Sequence, residues 1–234
     1  MHGLREMSSL QMIAVMALPL VMAIVLHEIA HGYVAYLKGD PTAKLMGRLS
    51  LNPLVHIDLF GTIIMPLIFF YSMGVLFAFA KPVPVNFMNL KRPKEDMVWV
   101  AAAGPGMNLF LAVISAIAIQ IIVFMNPEAK EYIGYINNRL MPTDYSVILF
   151  PVMGMLYFSV ILNVVLAVIN MIPIPPADGG RIVAGLLPRK QAAIYSQIEP
   201  FGLVLLVGII MFNPLGITYK VIWPIIISIV ELLV

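Results

Sequence analysis

The chain has 234 residues, of which 61% are hydrophobic and only 11% charged. A soluble domain runs nearer half apolar and a quarter charged, and a disordered chain is more polar still, so both classes are excluded. Fourteen Lys and Arg against twelve Asp and Glu give no basic excess for nucleic acid, and the absence of Cys removes disulfides and thiolate metal sites.

The composition predicts an all-α polytopic membrane protein, a single domain over 1–234. Apolar stretches fall at 10–37, 59–80, 97–125, 147–170, 201–212 and 217–233. Most reach the ~20 residues that a spanning helix needs, giving about five to six transmembrane segments. The fifth is short, and 191–200 extends it as helix with Pro200 as a kink. Polar or Pro/Gly-rich joints separate them at 38–58, 81–96, 126–146, 171–190 and 213–216, and no soluble domain is expected at either end. The first stretch is too long for a cleaved signal peptide, lacks a small-x-small site after it, and carries two His and a Glu. It reads as a permanent helix.

His27, Glu28 and His31 lie inside that first stretch as His-Glu-Ile-Ala-His. On a helix, positions i and i+4 share a face. Both imidazoles therefore reach one metal ion with Glu28 beside it, the pattern in which two His bind zinc and Glu activates a water. A charged group at membrane depth costs at least ~2.5–3.5 kcal/mol, which makes function its default explanation; a polar cluster satisfied by neighbouring helices is the alternative. With hydrocarbon starting near Ile13, His27 lies ~21 Å in at 1.5 Å per residue. A ~30 Å core then leaves the site about 9 Å below the far face, so a polar cavity should open there.

Catalytic zinc takes three protein ligands and leaves a fourth position to water. The remaining candidates are His2, His56, Asp40, Asp58, Asp96, Asp144 and Asp178. Asp178 stands out, in Asn170-Met-Ile-Pro173-Ile-Pro175-Pro176-Ala-Asp178-Gly179-Gly180 directly after an apolar helix. Repeated Pro makes the chain extended and the glycines permit close backbone approach. Irregular backbone at membrane depth lines a cavity or is buried in protein, whereas a surface loop with a solvated Asp remains the alternative.

His-Glu-x-x-His in a membrane helix, followed downstream by Asn-x-x-Pro-x-Pro-x-x-Asp-Gly, resembles the site-2 protease family of intramembrane zinc metalloproteases. Gly104-Pro105-Gly-Met-Asn108 and Lys81-Pro82-Val-Pro84-Val-Asn86 extend the match, which covers most of residues 20–185. Ala177 departs from the Leu usual before Asp-Gly. No PDZ insertion or regulatory domain is expected. The resemblance implies one zinc per chain with His27, His31 and Asp178 as ligands, Glu28 as catalytic base, and Asn170 polarising the scissile carbonyl. It implies a catalytic core over about 10–185 and C-terminal helices over about 191–234. The implied substrate is a membrane protein cleaved in or beside a transmembrane helix, as in regulated intramembrane proteolysis. A metal transporter using the same three side chains, or a non-catalytic scaffold that binds membrane helices, is the alternative.

One zinc held by His27, His31 and Asp178 requires an even number of crossings between the two motifs. Three apolar segments intervene, so one fails to cross. The best candidate is 59–80, interrupted by Gly61, Pro66 and Gly74 and read as re-entrant or broken. Lys and Arg then divide ten to four, with Lys38, Lys44, Arg48, Lys81, Lys91, Arg92, Lys94, Arg181, Arg189 and Lys190 on one side. The positive-inside rule makes that side cytoplasmic, with the active site near the cytoplasmic face of a cell membrane.

Residues 81–89 are extended by their prolines. Pro82, Val83, Pro84, Val85 and Asn86 read either as an edge strand that pairs with unwound substrate or as a plain connector. Gly104 and Pro105 permit tight helix packing near the zinc, and Asn108 is a candidate hydrogen-bonding partner there. His56 with Asp58 forms either a supporting pair for the site or an interfacial polar pair. Lys91, Arg92 and Lys94 suit contact with anionic headgroups of the bilayer. The sequence leaves oligomeric state open.

Overall fold

A computed structural model describes residues 4–56, 58, 64, 81–142, 146–213 and 216–234; the reading of 59–80 as a broken segment lies outside the described residues. The elements in chain order are β1 (Leu4–Glu6), α1 (Ser9–Leu37), α2 (Thr42–Leu45), α3 (Pro93–Met125), α4 (Ala129–Asn137), β2 (Leu140–Pro142), α5 (Leu149–Asn170), α6 (Asp178–Leu186), α7 (Arg189–Ser196), α8 (Glu199–Phe212) and α9 (Trp223–Leu233). Single 3-10 turns stand at Pro53–His56 and Phe87–Asn89, and a π turn at Thr218–Ile222 precedes α9. The protein is an all-α polytopic membrane protein.

Three of the described helices, α1, α3 and α5, are long and apolar enough to cross a bilayer. With no water to satisfy backbone groups in lipid, long apolar runs close their hydrogen bonds internally as helix. At 1.5 Å per residue the 33 residues of α3 extend about 50 Å, more than a ~30 Å hydrocarbon core requires. A fourth span forms if α7 and α8 are counted as one, bent by 64° at a short break. The expected kink at Pro200 is therefore a break at Gln197–Ile198. Pro200 sits in the first turn of α8, where its missing N–H leaves no bond unmade.

Contacts divide the chain into two units. The first comprises residues 1–23, 108–169 and 207–234. In it, α5 buries Phe150, Met153, Gly154, Tyr157, Val160, Asn163, Val164 and Ala167, a helical 3/4 spacing along one face. A polar ladder runs through this apolar surround. The Asn108 amide donates to Ala23 O (3.2 Å) and to Asn163 Oδ1 (2.8 Å). Asn163 donates to Ser159 O (2.9 Å), and Ser115 Oγ lies 2.8 Å from Ser159 Oγ. Between helices that gain little from hydrophobic contact in lipid, such bonds supply cohesion. The same unit pairs β1 with β2 antiparallel, Arg5 opposite Met141.

The second unit comprises residues 24–107 and 170–206 and carries the chemistry. Asp96 Oδ2 accepts from Arg92 N (2.8 Å), capping α3 just before Pro93, and Asp96 Oδ1 pairs with Lys38 Nζ (3.2 Å). Gly185 of α6 packs on α3, since a Cβ there would lie 3.1 Å from Lys94 O.

Candidate metal centre

The i, i+4 spacing on α1 brings the rings of His27 and His31 edge to face, centroids 4.7 Å apart. His31 Nδ1 lies 2.6 Å from Val100 O on α3. A carbonyl only accepts, so Nδ1 carries the proton and Nε2 keeps its lone pair, the usual way an outer partner fixes the tautomer of a metal-binding imidazole. That Nε2 faces His27 Nε2 at 3.1 Å.

The third group arrives from 147 residues downstream of His31. After α5 ends at Asn170, residues 171–177 turn back, and Asp178 opens α6. Two glycines permit this turn. A Cβ on Gly179 would strike the carbonyl of Met171, and one on Gly180 the backbone N of Pro175. The loop is braced from α7 and α8. Tyr195 donates its hydroxyl to Pro173 O (2.7 Å), and Gly202 lies so close to Pro175 O that no side chain fits between. Asp178 Oδ2 thereby comes to 3.2 Å from His27 Nε2 and 3.3 Å from His31 Nε2.

Among the described residues, His27, His31 and Asp178 are the group of His and carboxylate side chains whose ligand atoms converge. All three are buried, at 8%, 8% and 5% exposure. Among the described residues the buried Asp178 Oδ2 has no hydrogen-bond partner, a costly state for a carboxylate unless a cation meets it. Zinc bonds of 2.0–2.1 Å at tetrahedral angles set ligand atoms about 3.3 Å apart. The observed 3.1, 3.2 and 3.3 Å fit that spacing, so the donor set fits one zinc ion.

Two glycines hold the surroundings close. A Cβ on Gly104 would lie 2.6 Å from His27 Nε2 and would strike His31 Nε2. A Cβ on Gly32 would lie 2.7 Å from both Leu49 Cδ2 and Val83 Cγ1. Gly32 was not singled out from the sequence, although a glycine inside a long helix, where it costs about 1 kcal/mol against Ala, is itself a signal of close packing. Beside the triad, Glu28 Oε2 accepts from the backbone N–H of Val83 at 2.7 Å.

The remaining candidates take other places. Asn170 is the last residue of α5 and is half-buried. The described Asn108 bonds go to Ala23 and Asn163. His56 is buried with Nε2 2.8 Å from Ser50 O and lies outside the three-residue cluster. Asp96 caps α3. His2 and Asp144 lie outside the described residues.

Asp40 is fully buried and accepts from Thr42 N, Thr42 Oγ1, Asn86 N and Asn89 Nδ2. Desolvation pushes its carboxyl upward, but these four donors outweigh that and hold it below the ordinary carboxylate range. A carboxyl with a depressed folded pKa contributes stability above its unfolded value near 4, and that contribution is lost as pH falls through the folded value. The unfolding midpoint in detergent should therefore drop more steeply for wild type than for Asp40→Asn as pH falls below about 4. Parallel curves would contradict this account of Asp40.

The model of peptidase family M50 matches residues 15–212. The chain is 36% identical over 217 residues to "Putative zinc metalloprotease YwhC" of Bacillus subtilis (strain 168), covering 92% of this chain and 87% of that protein. No solved structure matches the chain.

Proposed function

The chain belongs to peptidase family M50, the site-2 protease family, and is a zinc metallopeptidase of the membrane; from that premise we propose that it hydrolyses a peptide bond in or beside a transmembrane helix of a membrane-protein substrate. The observation that carries this reading is the convergence of His27, His31 and Asp178 on one point, with a carboxylate, Glu28, adjoining it on the same helix. A transit site for metal has no use for that carboxylate.

His27 Nε2, His31 Nε2 and Asp178 Oδ2 would hold the ion. When bound, zinc supplies Lewis-acid chemistry, polarising the scissile carbonyl and acidifying a water. Glu28 accepts the proton of the attacking water as its oxygen bonds to the carbonyl carbon. It then delivers that proton to the amide nitrogen as the C–N bond breaks. Asn170 donates to the carbonyl oxygen as charge develops there, a contribution of ~3 kcal/mol for comparable donors. A helical substrate hides its carbonyls in hydrogen bonds, so it must unwind first. Residues 82–86 receive the unwound segment by strand addition. Within them Pro82 and Pro84 have no N–H and that of Val83 is given to Glu28, which leaves Val85 as the residue offering both N–H and C=O to a substrate strand.

On this reading the site opens near the cytoplasmic face of a cell membrane, the side that ten of the fourteen cations share when 59–80 turns back. Its substrates are membrane-held proteins released by cleavage, as in regulated intramembrane proteolysis.

The test is zinc quantification in purified wild type and Asp178→Ala, with cleavage of a single-span substrate by both. Wild type should hold one zinc per chain and cleave; Asp178→Ala should lose both. Zinc and cleavage that survive in Asp178→Ala would remove the carboxylate from the site.

A further inference from the structure

Glu28 is held by a segment far from it in sequence, and that segment is held at both ends by buried charge. At one end Arg48 Nη2 donates to Lys81 O (2.7 Å) and Pro82 O (3.4 Å). Arg48 is 7% exposed, and its Nε has no hydrogen-bond partner among the described residues. At the other end Asp40, with no exposure at all, accepts from Asn86 N (2.7 Å) and Asn89 Nδ2 (2.9 Å). Between the two anchors, Val83 gives its N–H to Glu28 and its side chain to the notch left by Gly32, one turn after Glu28 on α1.

A buried guanidinium and a buried carboxylate are each costly to desolvate. Here the guanidinium is spent on two carbonyls at one end of a short segment, and the carboxylate ties the other end by accepting from the backbone N–H of Asn86, its further bonds to Asn89 and Thr42 fixing it in place. A connector needs no such anchoring. Pro82 and Pro84 add stiffness by fixing φ on either side of Val83. Together these features leave the Val83 N–H little freedom to drift away from the carboxylate.

We propose that Arg48 and Asp40 are positioning residues for the catalytic base: they clamp residues 81–86 from both ends so that the Val83 N–H fixes the direction in which the Glu28 carboxylate points. The proposal rests on the metalloprotease reading of Glu28. It adds that the segment is a fixed wall of the active site, and that two charged side chains outside the metal triad set its place. Loosening either anchor lets Val83 withdraw, and Glu28 then samples orientations unproductive for proton transfer. Misplacement of a reacting group by about 1 Å costs ~100-fold in rate.

The experiment compares wild type with Arg48→Met, Arg48→Lys and Asp40→Asn as zinc-loaded full-length proteins in detergent. Three quantities are read: zinc per chain, kcat and KM on a single-span substrate, and amide hydrogen exchange of residues 82–85. That stretch contains two exchangeable amides, Val83 and Val85, because Pro82 and Pro84 have none. Glu28→Ala marks the rate expected of a released Val83.

Arg48→Met and Asp40→Asn should each keep one zinc, exchange the Val83 amide at least about tenfold faster, and lower kcat by about 10–100-fold whatever rise in KM follows from displacing the substrate-receiving strand 82–86. Arg48→Lys, which retains one donor to the same carbonyls, should recover part of the kcat. Val83 protection unchanged in Arg48→Met and Asp40→Asn overturns the clamp. Faster exchange with full kcat overturns the link to Glu28, as does a rise in KM alone, which would assign the anchors to substrate docking. Loss of zinc from all three variants also overturns it, because the anchors would then be supporting the triad. A wild type that holds zinc and cleaves nothing sinks the protease reading and this proposal together, whereas a cleaving wild type whose variants keep full kcat sinks this proposal alone.

Discussion

Glu28→Gln should retain one zinc per chain and lose cleavage by about 10²–10⁴-fold, the contribution of a positioned general base. The substitution suits the question because it leaves the geometry alone. Gln has the same length, and its Oε1 still accepts the Val83 N–H now bonded to Glu28 at 2.7 Å. The three converging ligand atoms belong to His27, His31 and Asp178, so their hold on the ion does not depend on the acidity of residue 28. What an amide loses is the capacity to accept a proton. Metal analysis and single-turnover cleavage of a single-span substrate, on the same preparation, separate the two effects. Equal cleavage by Glu28→Gln would reject Glu28 as the base. Loss of zinc would show that its charge supports the ion.

The parts of this arrangement legible in the sequence are the local ones. α1, α3 and α5 were marked as apolar stretches within four residues of their observed ends, because a spanning segment must be both long and apolar. The pairing of His27 with His31 follows from helical periodicity alone. Asp178 stands out among the Asp candidates because Pro and Gly crowd the chain around it, but a solvated loop fits that pattern as well, and its place as a ligand comes from the family resemblance. The non-local anchors left no such mark. Val83 and Glu28 stand 55 residues apart, and Arg48 and Lys81 33 apart; neither pair has a periodicity to betray it. In the sequence Arg48 reads as one of ten cations sharing one side of the membrane, and Asp40 as a spare ligand candidate. Burial distinguishes them, and burial of a residue in a joint depends on what packs over it. The β1–β2 pair escaped notice likewise, being three residues on each strand and joined across 136 positions.

Gly104→Ala should weaken zinc binding by at least about 100-fold, or ~2.7 kcal/mol, and cleavage should fall with it. Gly106→Ala, two residues along the same helix, should leave both unchanged. The contrast comes from what a single methyl group meets. At Gly106 nothing among the described residues lies within 4 Å of the added carbon. At Gly104 the carbon would lie 2.6 Å from His27 Nε2 and overlap His31 Nε2, the two nitrogens that would hold the ion. Relief would require α3 to draw back from α1. That movement would carry Val100 O away from His31 Nδ1, now 2.6 Å apart, and so release the contact that fixes the tautomer of His31. Both routes degrade the same ligand. Helix propensity favours Ala over Gly at either position by about 1 kcal/mol, so any gain in stability from that source is common to the two variants and cancels in the comparison. Competition for zinc against a chelator of known affinity reads the ratio directly. Equal zinc affinity in the two variants would mean that α3 stands farther from the imidazoles than the glycine spacing implies.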